Sequence, residues 1–132
     1  MDKAVTIKNP NYLAIDYLNP QDFGAAINKA KIIIARSGAN TVWELALCKK
    51  PSILIPLPIS AGNEQLENAQ ILKDAGFAKI INQKDATPKK LKEAINKILA
   101  NYQKYQKAAD QFQKTLPKNA TSKLLQYIKS NI

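Results

Sequence analysis

Ile32-Ile33-Ile34-Ala35-Arg36-Ser37-Gly38-Ala39-Asn40-Thr41-Val42-Trp43-Glu44-Leu45-Ala46 is the stretch on which the fold turns. Three isoleucines in a row are apolar at consecutive rather than alternate positions, the pattern of a strand covered by helices on both faces. Small residues then make a turn, and a helix is expected to begin near Asn40. A strand that runs through a short turn into a helix is the repeating unit of a parallel α/β sheet.

The same rhythm extends outward. Strand-like runs are read at Tyr12 to Tyr17, Lys31 to Ala35, Ser52 to Leu57 and Ala78 to Asn82. Ile53-Leu54-Ile55 repeats the continuous apolar pattern of Ile32-Ile33-Ile34, so both are expected to be central strands. Helix boundaries are legible between them. Asn19-Pro20-Gln21-Asp22 offers an N-cap, a first-turn proline and an acidic residue, Gly76 stops a helix after Ala75, and Thr87-Pro88 opens another. From Pro88 onward the chain reads as helix, with Leu91, Ala94, Ile95, Ile98 and Leu99 on one face. Pro117 separates a last amphipathic helix carrying Leu124, Leu125 and Ile128.

Composition narrows the class. The 132 residues are 45% hydrophobic, with 4 glycines and 7 prolines, which excludes collagen-like and disordered chains and suits one globular domain over residues 1–132. The longest apolar stretch, Ile53 to Ile59, is broken by Pro56 and Pro58 and falls short of the roughly 20 residues that span a bilayer. Met1-Asp2-Lys3 does not open a secretory signal, and the one cysteine, Cys48, forms no internal disulfide, so a cytoplasmic location is expected. Cys48 reads as a small core residue, and Asn119-Ala120-Thr121 as a sequon that a cytoplasmic chain leaves unmodified.

The net charge is +10. It fits either attraction to phosphate-bearing partners, including an anionic membrane surface, or a lysine-rich solvated face. Arg36 is the only arginine, which argues against sequence-specific reading of DNA by bidentate arginine contacts, and nucleic acid is not an expected partner. Histidine is absent, which removes the commonest general base and metal ligand; no catalytic residue, metal or cofactor is assigned.

Two strand-to-helix junctions carry the candidate chemistry. In open α/β sheets ligands collect at the carboxyl ends of strands. Ser37-Gly38-Ala39-Asn40-Thr41 leads into a helix whose start presents unpaired N–H groups and a positive dipole end, a match for a diphosphate; the same pattern also serves as a plain capped turn. Glu44, one turn on, is placed to reach the two hydroxyls of a ribose, or is simply a first-turn glutamate favoured by the dipole. Asn63-Glu64-Gln65 opens the next helix after a Pro/Gly/Ser loop, with amides suited to sugar hydroxyls and an acetamido group.

Taken in order, Arg36-Ser37-Gly38-Ala39-Asn40-Thr41 with Glu44, Lys50 to Pro58, and Asn63-Glu64-Gln65 with Asn68-Ala69 resemble the C-terminal half of the MurG family. These are peripheral membrane glycosyltransferases that move N-acetylglucosamine from UDP-N-acetylglucosamine to an undecaprenyl-linked muramyl-pentapeptide. The resemblance implies an α/β, Rossmann-like parallel sheet with flanking helices, the C-terminal half of a GT-B glycosyltransferase lacking its first strands. It implies that Ser37, Gly38, Ala39, Asn40 and Thr41 hold the diphosphate, Glu44 the ribose, Gln65 the sugar hydroxyls, and the backbone around Tyr17 and Leu18 the uracil. Glu64 stands where the family often has a second glutamine. The implied partners are UDP-N-acetylglucosamine and a lipid-linked acceptor held by an N-terminal domain or partner chain that these residues do not include, at the inner face of the plasma membrane. Transfer by this chain alone is not expected. A non-catalytic scaffold or binding module that keeps the fold is the alternative.

Overall fold

The computed structural model describes residues 9–59 and 61–119. The helix expected around Leu124, Leu125 and Ile128, and Ala120 and Thr121 of the sequon, lie outside the described residues.

The element order is α1 (Pro20–Lys29), β1 (Ile33–Ala35), α2 (Ala39–Leu47), β2 (Ser52–Leu54), a 3₁₀ turn (Ala61–Asn63), α3 (Glu64–Asp74), β3 (Ala78–Ile80), a second 3₁₀ turn (Gln83–Asp85), α4 (Pro88–Ala100) and α5 (Tyr102–Thr115). The strands form one parallel sheet in the order β1-β2-β3, with Ile34 opposite Ile53 and Ile53 opposite Lys79. Helices begin where the capping residues stand. Asn19 accepts from Asp22 N–H at 2.9 Å ahead of Pro20, and Thr87 accepts from Lys90 N–H at 3.3 Å ahead of Pro88. Gly76 ends the α3 turn with φ 89°, a left-handed conformation glycine adopts without a Cβ penalty. The long helical stretch after Pro88 divides at Asn101, whose side chain donates to the Lys97 carbonyl at 2.9 Å.

β2 is the core strand its sequence predicts. Ile53 packs on one face with Ala94 and Ile98 of α4, while Leu54 packs on the other with Leu45, Leu72, Phe77 and Ala109. Phe77 and Phe112 lie 5.6 Å apart, centroid to centroid, and fasten α5 over that second face. The ladder stops at Leu54 rather than Leu57, just ahead of Pro56, which has no N–H to donate.

Two expectations are corrected. β1 is not central among the described residues: it forms the edge of the sheet, and Ile34 is 44% exposed. Tyr12 to Tyr17 is not a strand: this stretch has no ladder, and Leu13 and Tyr17 are each 79% exposed. The cause is common to both. A strand is stabilised by its neighbour's N–H and C=O groups, and among the described residues nothing pairs between this segment and β1.

Candidate functional site at the carboxyl ends of β1 and β2

Because β1 and β2 run parallel, their following loops emerge on the same edge of the sheet, and the structure stitches them together. The Arg36 guanidinium donates to the Ile55 carbonyl at 3.0 Å. Ser37, fully buried, donates from Oγ to the Gln65 carbonyl at 2.7 Å, and Asn68 Nδ2 donates to the Ser37 carbonyl at 3.3 Å. Gln65 Oε1 accepts from Leu57 N–H at 3.0 Å. The two sequence blocks therefore form one platform, and two residues read from sequence as ligand contacts, Ser37 and Gln65, build it through their side chains.

On the β1 side of the platform the groups are open. The first intrahelical bond of α2 runs from Val42 N–H to the Gly38 carbonyl at 3.0 Å, so the N–H groups of Ala39, Asn40 and Thr41 precede the helical ladder. Gly38 is the N-cap with no side-chain cap bond, and a Cβ there would meet nothing within 4 Å. The backbone is thus open to close approach by a ligand. Thr41 and Glu44 of α2 line a cavity of about 430 Å³ whose wall also includes Leu18, Phe23, Ala35 and Leu45. Sequence residues far apart in the chain, Leu18 and Glu44, thus meet at one opening, whereas Tyr17 does not line it.

The β2 side differs. A second cavity, about 590 Å³, is bounded by Pro56, Leu57, Pro58, Asn63 and Leu66 together with Asn82, Gln83 and Lys84. Glu64 and Gln65 line neither cavity; Glu64 opens α3 and is exposed. In the sequence a strand is read to end at Asn82, and no site role is assigned to Asn82, Gln83 or Lys84. The signal was available: they follow the third parallel strand, at the same sheet edge as the other two loops. Among the described residues no group of three or more acidic, cysteine or histidine side chains is placed to hold a metal ion, and no helix is long and apolar enough to cross a membrane.

The glycosyltransferase family 28 C-terminal domain model matches residues 2–124. The chain belongs to this family. Among curated relatives, the UDP-N-acetylglucosamine–N-acetylmuramyl-(pentapeptide) pyrophosphoryl-undecaprenol N-acetylglucosamine transferase of Synechocystis sp. is 40% identical over 70% of this chain and 25% of its own. That of Gloeothece citriformis is 30% identical over 98% of this chain and 35% of its own. The chain thus spans a quarter to a third of these relatives. Acinetobacter baumannii MurG superposes with a TM-score of 0.71 at 34% identity, over 83% of this chain and 31% of that one. A glycosyltransferase of kitacinnamycin, 20% identical with a TM-score of 0.61 over 74% of this chain and 23% of that one, shares the fold. Both neighbours are GT-B glycosyltransferases, and the three-stranded parallel sheet with its helices is the matching portion of that architecture.

Proposed function

We propose that this family 28 domain binds the donor UDP-N-acetylglucosamine for transfer of N-acetylglucosamine to a lipid-linked muramyl-pentapeptide, with the acceptor held by protein outside these residues. The observation that carries the reading is the convergence of Leu18, Thr41 and Glu44 on one cavity beside the open first turn of α2. The N–H groups of Ala39, Asn40 and Thr41 receive the diphosphate, with the helix dipole stabilising the negative charge that grows on the departing UDP. Glu44 accepts from the ribose hydroxyls, the backbone at Leu18 faces the uracil, and the sugar lies toward Glu64 and Gln65. Ser37 acts by fixing the loop, through its bond to α3, rather than by touching phosphate.

The undecaprenol-linked acceptor in the relatives' names supports a place at the inner face of the plasma membrane, and the net charge of +10 suits an anionic surface there. Isothermal titration of the folded chain with UDP-N-acetylglucosamine, UDP, UDP-glucose and GDP tests the site. Uracil-selective binding that Glu44→Ala weakens is the expected result. A folded chain that binds none of the four, or binds equally well without Glu44, overturns it.

A further inference from the structure

β3 carries a charge where its neighbouring strand carries an apolar residue. Lys79 stands in register with Ile53 of β2, so both side chains rise from the same face of the sheet. Ile53 is fully buried there, against Ala94 and Ile98 of α4. Lys79 meets the same helix at its margin, in a groove of about 320 Å³ whose walls include Lys90, Glu93, Ala94 and Lys97. Positions 90, 93 and 97 recur at steps of three and four, so one side of α4 turns two lysines and a glutamate toward the strand.

The charges in this groove are unevenly matched. Lys90 Nζ lies 3.2 Å from Asp85 Oδ1. Lys79, Lys97 and Glu93 form no salt bridge among the described residues. Burial, and then the charge of Lys97, holds the Lys79 ammonium below its ordinary pKa. A lysine on an edge strand guards against further pairing, because continuing the sheet would bury its charge, and Lys79 guards the β3 edge in this way. That role needs one lysine. It does not call for a second cation on α4, near enough to oppose the first. Lys97 also borders a neighbouring hollow with Asn101, Lys104 and Tyr105, and Lys104 too lacks a salt bridge among the described residues, so the positive strip continues onto α5.

We infer that the groove between β3 and α4 binds a phosphate group, held between the ammonium groups of Lys79 and Lys97 with Lys90 at its rim. An anion seated there offsets the repulsion between the two lysines and gives their N–H donors the acceptor oxygens that the protein does not supply. Glu93 opposes the anion and limits how tightly it is held. The groove lies at the small end of the roughly 300–1,000 Å³ range of ligand pockets, which suits one phosphate and the group esterified to it rather than a whole nucleotide. A lipid headgroup and a soluble phosphate ester share this chemistry. None of these residues lines either cavity at the carboxyl ends of β1 and β2, so the site stands apart from the donor reading.

The test follows the Lys79 side-chain Cε resonance of the full chain through a pH titration by NMR, with and without inorganic phosphate at matched ionic strength. This readout is local, so phosphate at the start of α2 does not register in it. Phosphate is expected to raise the Lys79 pKa toward its ordinary value, and the effect saturates. Lys97→Gln is expected to weaken phosphate binding by about fivefold to tenfold. Glu93→Gln is expected to strengthen it by about twofold to fivefold. Lys92→Gln, which takes the same charge from α4 outside the groove, should change it by less than about twofold. Circular dichroism checks each fold, and UDP titration of the same variants should be unchanged. Flotation with phosphatidylcholine vesicles containing phosphatidylglycerol separates the two sources. Vesicle binding lost in Lys79→Gln and Lys97→Gln but kept in Lys92→Gln assigns the site to a lipid headgroup, whereas saturable phosphate binding without that selective loss assigns it to a soluble ester. The inference is overturned if phosphate leaves the Lys79 pKa where it was, if its effect does not saturate, or if Lys92→Gln weakens binding as much as Lys97→Gln.

Discussion

β1 and β2 are nearly the same sentence written twice. Ile32-Ile33-Ile34 and Ile53-Leu54-Ile55 share length and a continuous apolar pattern, and each leads through a loop into a helix. Yet Ile53 has no exposed surface and Ile34 is 44% exposed, because α4 covers β2 and nothing described flanks the outer edge of β1. Local sequence encodes what a strand tolerates on its faces, whereas burial depends on which neighbours arrive. The loops repeat the contrast. The β2-side residues are tied into the platform, while the α2 start on the β1 side is open.

The sharpest way to break this comparison is to truncate both strands. Ile53→Ala is expected to cost about 3 kcal/mol in urea unfolding, within the range for buried isoleucine. Ile34→Ala is expected to cost less than about 1 kcal/mol, since much of its side chain is already in water. Equal losses would mean that β1 is covered as fully as β2.

Next in size is the open loop. Glu44→Ala is expected to weaken UDP binding by roughly tenfold to a hundredfold, the loss of hydrogen bonds to a charged acceptor, with stability changed by less than about 0.5 kcal/mol. Calorimetric titration and thermal unfolding on the same sample separate the two effects. A large stability loss would place Glu44 with the tied residues instead.

Two buried serines sharpen the contrast further. Ser37 Oγ has its bond to the Gln65 carbonyl, whereas Ser52 Oγ has no hydrogen-bond partner among the described residues. Ser37→Ala should therefore destabilise by about 1 kcal/mol and Ser52→Ala should be neutral or stabilising by up to about 1 kcal/mol. Denaturant midpoints with unchanged slopes report both. Destabilisation by Ser52→Ala would reveal a partner for that hydroxyl.

The smallest expected effect lies at the guarded edge. Burial, then Lys97, lowers the Lys79 pKa below 10.5, so above the lowered value and up to about 10.5 the unfolded chain binds more protons than the folded one. Stability from this group rises with pH across that window. Lys79→Gln should remove the rise, slightly stabilising the protein at neutral pH and leaving it unchanged at the alkaline end. A pH-independent difference between the two proteins would argue against a charge penalty at this edge.

Much of the fold was legible because its signals are local. Asn19, Gly76 and Thr87-Pro88 act within one turn of backbone, and their helix ends stand where the sequence puts them. The strand positions of β1, β2 and β3 were likewise readable from apolar runs between turn residues. Tyr12 to Tyr17 was misread for the opposite reason: β-branched and aromatic composition describes a segment that would suit a sheet, while the ladder that makes a strand belongs to another segment. In the site, the open α2 start and Glu44 followed from position along a helix, but the inward bonds of Ser37 and Gln65 did not. Their partners lie 28 and 8 residues away, across the sheet edge.

By itself, then, the sequence determined the alternation of strand and helix, the helix ends, and the two blocks that place this chain in family 28, since capping, periodicity and turn chemistry all act over a few residues. The tertiary structure decided which apolar strand is buried, which loop is a strut and which is open, and that Leu18 and Glu44 share a cavity. Those outcomes depend on contacts between residues distant in the chain, and no local pattern encodes them.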